Sequence, residues 1–556
     1  MKVRGRFNPG APVLLGALGA LCACSLPPGP IAPDPPPSAT IERRLRRLSA
    51  REYNNVVRDL LGDETRPADE FIAEEHQNGF DNGSAGLVVE GDQAVDYQYA
   101  AESLAERAVA DLPRLLRGCD PVADGVSACW QRFLAWFPPR AYRRPLTGTE
   151  LGRLQGIYET GVQDGGFALG LQLAIETVLQ SPQFLYREEL GPAPDDIQST
   201  PPTLPPGIVR LTRDEIATEL AFLITGSLPD ETLLAALAGN RFEGTDDYRR
   251  EAARLLATPA ARETTRQFLH QWLGTDRLGA VAKDPRYYPS FNRDLATSMS
   301  RELDRDFEQV VWYGTGSLRE LFTSPSSYAD SALAEVYGMT VTDPGFVPVT
   351  LDPAHRKGVM TRAGFLTVHA SADSSGPVAR GVFVLDAILC FHIASPPPDV
   401  PAPASTQSTI DEGRTTRERF EIHSTAERCR GCHQAIDGIG FGFEEFDAIG
   451  ASRTVENSVP IDASGKLLAA GDANGPFVGV SDLSERLMAS QPFVDCFVKQ
   501  MSRFAMGGTD VDWRLLATLG DGFSVDANVT DLLLALVSDP AFVLRTTTRP
   551  APEVTP

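Results

Sequence analysis

Apolar residues recur at helical spacing over most of the chain, and few stretches alternate as a strand would. Leu45, Leu48, Val56, Val57, Leu60 and Leu61 share a helical period, and Ser49 with Glu52 makes a capping box for a helix through Leu61. Asp92 to Leu112 reads as a second long helix. Trp130, Phe133, Leu134 and Phe137 fall on one face of a third, which Pro138-Pro139 is expected to end. Thr147 and Glu150 form another capping box, Leu171 to Leu179 continues helically, and Ser181-Pro182 breaks the pattern. Leu211-Thr212-Arg213-Asp214-Glu215 opens a further helical stretch. That pattern runs through Phe268, Trp272 and Leu273, then Leu295 to Val311, and finishes at Tyr337-Gly338. Near the end, Phe493, Phe497 and Phe504 lie on one stripe that suits core packing.

Proline-rich breaks divide these patterns. The expected organisation is a leader at 1–24, a Pro/Ala tether at 25–40, and helical domains at 41–118, 119–190 and 208–340. Two further units follow, at 355–455 and 475–548. The stretch from Gly191 to Gly207 is the clearest linker. The fold class predicted is mainly α and multidomain, without an internal repeat of fixed period.

At 556 residues the chain exceeds one ordinary core, and 42% hydrophobic with 22% charged residues excludes a largely disordered chain. A net charge of −23 argues against nucleic-acid binding, which needs clustered Lys and Arg against phosphate. The six arginines between Arg43 and Arg58 are the exception, and they read as the solvated face of a helix.

Lys2, Arg4 and Arg6, followed by apolar Val13 to Leu21, resemble an export signal too short to span a bilayer. Leu21-Cys22-Ala23-Cys24 resembles a lipobox, with Cys24 the residue to be lipidated and Ser25 after it. The expected location is the cell envelope, lipid-anchored at the periplasmic face or cell surface, with the outer membrane favoured. Cys119 and Cys129 flank a turn and are candidates for a small disulfide loop. Cys390 and Cys496 are candidates for a long-range staple, with buried free thiols as the alternative.

The densest chemistry is Cys429-Arg430-Gly431-Cys432-His433. C-x-x-C-H is the spacing of covalent haem attachment: two thiols add to the porphyrin vinyl groups and the adjacent histidine ligates iron. A redox dithiol would sit after a strand in a βαβ unit, and none is evident. A zinc site would need His423 and His433 with both thiols, at an unusual spacing. Phe441, Phe443 and Phe446 could pack on a porphyrin. The second axial ligand would set the chemistry. Met488, Met501 and Met506 follow at plausible separations, though a packed core methionine is the ordinary state of each. His423 and His369 are further candidates. Asp81, Asp304, Asp306 and Glu74-Glu75-His76 carry almost no catalytic signal, and no G-x-S-x-G, P-loop or H-E-x-x-H is present.

Arg47 to Gly62 resembles the opening domain of the planctomycete-type cytochrome c-like proteins, exported multidomain proteins of planctomycetes and myxobacteria. Gly79-Phe80-Asp81-Asn82, Arg140 to Leu146, Ser181 to Arg187, Gln271-Trp272-Leu273, Gly376 to Gly381 and Cys429 to Gly450 continue the resemblance in the family's order. It implies mostly helical domains, export, and a cytochrome c-like haem domain near the C-terminus carrying haem c. In the family an Asp-Pro-Leu-Gly-Phe run follows the motif histidine; here it is Asp437-Gly438-Ile439-Gly440-Phe441, which puts the group holding His433 in question. The function expected is envelope electron transfer with a redox partner protein. The alternatives are a haem-dependent oxidase or peroxidase on an extracellular substrate, and a non-catalytic binding scaffold.

Overall fold

The first strands of the chain and its last one lie side by side. In the computed structural model β1 (Ile41–Glu42) and β2 (Arg44–Arg47) open the described chain, followed by β3 (Tyr186–Glu189), β4 (Ile208–Arg210) and β5 (Leu544–Thr546). β5 pairs parallel with β1 and antiparallel with β4, and β2 pairs antiparallel with β3. The structure describes residues 41–546 except 43, 85, 193–203, 206, 344, 395–413, 426 and 508–510. The leader, the tether and Cys24 lie outside these residues.

Helices hold 60% of the structure and strands 9%, so the fold is mainly α. Local sequence explains most helix starts. α1 (Ala50–Leu61) begins at the Ser49–Glu52 capping box and ends at Gly62, whose φ of 68° suits glycine. α2 (Gly91–Ala110) is followed by α3 (Val126–Tyr142), α4 (Gly148–Gly165) and α5 (Phe167–Leu179). Capping boxes at Thr147–Glu150 and Thr212–Glu215 start α4 and α6 (Arg213–Thr225). α7 (Glu231–Ala238) and α8 (Arg293–Glu308) follow. Then come α9 (Pro377–Phe383), α10 (Thr416–Thr425), α11 (Glu427–Gly440) and α12 (Gln491–Ala505).

Two expectations are corrected. Pro138 and Pro139 do not end α3; they sit inside its last turn, and the helix stops at Arg143 in the left-handed conformation. Each proline forfeits the bond its N–H would give the carbonyl four residues before it, and the buried face of Phe133, Leu134 and Phe137 holds the helix through that loss. The arginines before α1 are not a solvated helix face. Arg46 and Arg47 lie on β2 at 2% exposure, and Arg44 beside them is half-buried. Arg51 pairs with Asp81 at 2.8 Å, and Arg58 reaches solvent.

The buried arginines form a charge cluster with three glutamates. Arg46 donates to Glu219 at 2.9 Å and to Glu189 at 3.3 Å, while Arg545 donates to Glu189 at 2.8 Å. Arg187 lies 3.6 Å from both Glu52 and Glu219 and stacks over Phe222. Burial alone would push Glu189 up, but Arg44, Arg545 and Arg46 hold it well below the usual carboxylate range. Ion pairs this buried gain full Coulomb attraction only when each charge has its partner.

The apolar core has three parts. Residues of the 41–118 and 119–190 segments share one cluster, around Tyr53, Leu104, Phe133 and Ile175. A larger cluster joins the 208–340 segment to both C-terminal units, through Phe268, Trp272, Ile439, Phe443, Phe497 and Phe542. The third is built on Met299, Leu333 and Ala363. Cys119–Cys129 and Cys390–Cys496 are disulfides. No helix of the described residues is long and apolar enough to cross a membrane.

Replacing Glu219 with Leu is expected to leave Arg46 and Arg187 without a shared carboxylate and to cost about 3–5 kcal/mol. A fall in the thermal unfolding midpoint checks this; an unchanged midpoint would show that the remaining glutamates suffice.

Candidate functional site

α11 carries the C-x-x-C-H pentapeptide. Cys429 and Cys432, three residues apart, lie nearly one turn apart on the helix, and His433 is four residues from Cys429. Both thiols are free, Cys432 exposed and Cys429 half-buried. A side chain at Gly431 would meet open space. The His433 Nδ1 lies 3.0 Å from Oδ1 of Asp437, which is 1% exposed. Two thiols and an imidazole on one accessible stretch of helix are a donor set that fits a covalently attached haem.

The opposite face of α11 is locked. Ile436 and Ile439 enter the main core, and α9 crosses so closely that glycine is required on both helices. A Cβ at Gly381 would stand 2.2 Å from the Ile436 carbonyl oxygen, and one at Gly440 would stand 2.1 Å from that of Pro377. Arg380, fully buried on α9, donates to the carbonyls of Phe443 and Phe446 at 3.1 Å, Asp447 at 2.7 Å and Leu366 at 3.1 Å. Burial lowers its guanidinium to about 10, still cationic at neutral pH. Glu444 accepts from Ser375 and from Arg453, each at 2.7 Å. The Gly376 to Gly381 and Cys429 to Gly450 stretches are thus two halves of one clamp.

Of the other candidates, Phe443 is buried in the main core, and Phe441 lies beneath the Arg417 guanidinium at 4.8 Å. Met501 is enclosed in the same core on α12. His423 belongs to α10, which packs beside α11; its side chain lies outside the described residues. His369 is buried, donates from Nε2 to the Leu273 carbonyl at 2.9 Å and stacks against Phe383. Burial pushes its pKa down to about 3. Asp304 is held by His270 and Arg266, and Asp306 by Arg362. Glu74 accepts from Arg47, and His76 faces Asp276 at 3.8 Å.

Four family profiles match the chain, each described as a protein of unknown function. They are PSD3 (DUF1587) at residues 46–110, PSD5 (DUF1595) at 129–189, PSD4 (DUF1592) at 211–339 and PSCyt3 (DUF1588) at 356–456. The chain belongs to the planctomycete cytochrome-associated proteins. Neither the curated proteins nor the solved structures yield a match. In this planctomycete cytochrome-associated protein the PSCyt3 region contains both α9 and α11, so the clamp and the C-x-x-C-H fall in one domain.

The contacts of two residues around the motif were not read from the sequence. Asp437 was named only as the first residue of the 437–441 run, and its place four residues after His433, the spacing at which helical side chains meet, is what brings the two together. Arg380 lay in a recognised stretch, but its carbonyl partners come from two other segments.

Gly440→Ala is expected to force α9 and α11 apart at a cost of about 1–3 kcal/mol, measured as a lower thermal midpoint. Neutral His369 gives a second outcome. Its folded pKa lies below the unfolded value of about 6.5, so its contribution is complete above that pH and is lost as pH falls toward 3. Between pH 6.5 and 5 the loss is roughly 2 kcal/mol. In His369→Gln the thermal midpoint is expected to fall less steeply over that interval; equal slopes would remove His369 from the acid response.

Proposed function

We propose that this chain is an exported c-type haem protein that transfers electrons at the cell envelope. The observation that carries the reading is the surface helix bearing Cys429, Cys432 and His433, with the Nδ1 of His433 held by buried Asp437. Cys429 and Cys432 would hold the porphyrin through thioethers, and His433 would supply a nitrogen to the iron. The haem, when bound, supplies one-electron chemistry. Asp437 orients the imidazole and raises its basicity, the part a proline-derived carbonyl plays elsewhere. The clamp of Arg380, Gly381 and Gly440 keeps the helix fixed while the outer face stays open. Attachment residues at the surface suit electron exchange with a protein partner over a short distance.

Two disulfides support an oxidising compartment, and the Cys24 lipobox supports a lipid anchor in the envelope. The net charge of −23 favours a basic partner surface over nucleic acid. One observation favours a second reading. A carboxylate on the histidine ligand strengthens electron donation to iron, which suits peroxide or oxygen chemistry on a small molecule or an extracellular polymer.

Expression of the full chain with a cytochrome c maturation system is expected to give a c-type pyridine haemochrome, lost covalently in a Cys429→Ser, Cys432→Ser double variant. An intact, folded chain without that band would overturn the reading. Asp437→Asn is expected to keep the haem and to shift its reduction potential positive. An unmoved potential would remove Asp437 from the role. Ligand-induced spectral change with cyanide or peroxide would favour the enzyme, and a spectrum indifferent to both the electron carrier.

A further inference from the structure

A cleft of about 580 Å³ opens between the C-terminal end of α3 and α7, a volume typical of small-molecule sites. Its walls are apolar, with Leu134, Leu146, Leu228, Leu234 and Leu237 among them. Its polar groups are mostly donors. The Arg117 guanidinium lies 4.4 Å from the centre of the Trp136 ring. Arg117 and Arg140 both donate to the same oxygen of Glu231, at 2.9 and 2.8 Å. Two guanidiniums therefore share one carboxylate, and that carboxylate is on a side chain 68% exposed. The Trp136 Nε1 is buried and has no hydrogen-bond partner.

The backbone around the cleft is also unusual. Arg117 and Arg143, both in its wall, hold φ angles of 48° and 60°, which side-chain-bearing residues seldom adopt. The Cys119–Cys129 disulfide closes the turn immediately after Arg117. Strain of this kind persists where surrounding structure enforces it, often at binding sites. Arg143 and Arg144 are already engaged, the first by the carbonyls of Gln183, Phe184 and Tyr186, the second by Glu150 and Glu188. Asp214 lines the same wall, its carboxyl pushed up by burial.

We propose that this cleft binds an amphipathic organic anion: a carboxylate head on a flat, apolar body. The head accepts from Arg117 and Arg140 as the exposed Glu231 arm swings out. The body lies against Leu134, Leu234 and Leu237. The site stands apart from the C-x-x-C-H helix in its residues, and its occupancy is independent of haem.

Titration calorimetry of the full-length chain with 2-naphthoate, and with neutral 2-naphthamide as the control, tests this. The expected result is saturable naphthoate binding at one site, with the amide about tenfold weaker. Arg117→Gln with Arg140→Gln should weaken naphthoate by a similar factor and leave the amide unchanged. Ala135→Trp, at an exposed position of the wall, should block both compounds without moving the thermal midpoint. It decides the matter if the arginine variant does not fold. Equal affinity for acid and amide, binding indifferent to Ala135→Trp, or no saturable binding of naphthoate would each overturn the proposal.

Discussion

Arg46 and Arg187 face one another across the β2–β3 pair with almost no access to water, and the rest of the chain is arranged so that they can. Like charges opposed in a sheet are repulsive, and each buried guanidinium alone would be far too costly to keep. Glu219 answers both, Glu52 answers Arg187, and Glu189 answers Arg44, Arg46 and Arg545. The partners come from β2, α1, β3, α6 and β5, so the cluster is complete only once the beginning, middle and end of the described chain have met. The β1–β5–β4 sheet, running through the same segments, depends on the same assembly. A hydrophobic cluster tolerates gradual loss; a cluster of this kind does not, because removing one member strands the others.

The same principle, at smaller scale, builds the clamp behind the C-x-x-C-H. Arg380 is enclosed by four carbonyl oxygens, three from the 443–447 turn after α11 and one from Leu366 in the short helix Ala363–Val368. Glycine at 381 and 440 lets the two helices approach to backbone contact, so the arginine reaches its acceptors. These groups have no part in the chemistry of the thiols. They define the orientation of a helix whose other face must remain reachable.

What the sequence made legible follows from range. Helices begun by Ser49–Glu52, Thr147–Glu150 and Thr212–Glu215 were readable because each box closes within four residues. The phenylalanine stripe of α12 was readable because its period is local. Arg44 and Arg46 were misjudged because the carboxylates that neutralise them, Glu189 and Glu219, lie more than a hundred residues away. A run of arginines beside a helix start carries no mark that distinguishes a solvated face from a buried strand. Pro138 and Pro139 misled for a different reason. A proline costs the bond to the carbonyl four residues before it, and here α3, with Phe133, Leu134 and Phe137 packed in the core, carries that loss. The Cys429, Cys432 and His433 motif was local and legible, whereas the packing that fixes it was not.

This division bears on why a C-x-x-C-H motif would sit on so large a body. A helix of fourteen residues has marginal stability alone, and its thiols and imidazole would sample many arrangements. Ligation favours a histidine already held at the right angle, since less freedom is lost when the bond forms. Asp437 supplies that restraint only if its own carboxylate is fixed, and it is fixed because Ile436 and Ile439 on either side are buried. Those two residues are buried because α9 crosses there, and α9 stays because Arg380 is enclosed by the 443–447 turn. That turn packs on the main core, which reaches to β5 and so to Glu189 and the arginines of the first strands. The chain of dependence from the exposed cysteines back to β2 passes through buried charge twice, and at both places the restraint is a fully enclosed arginine.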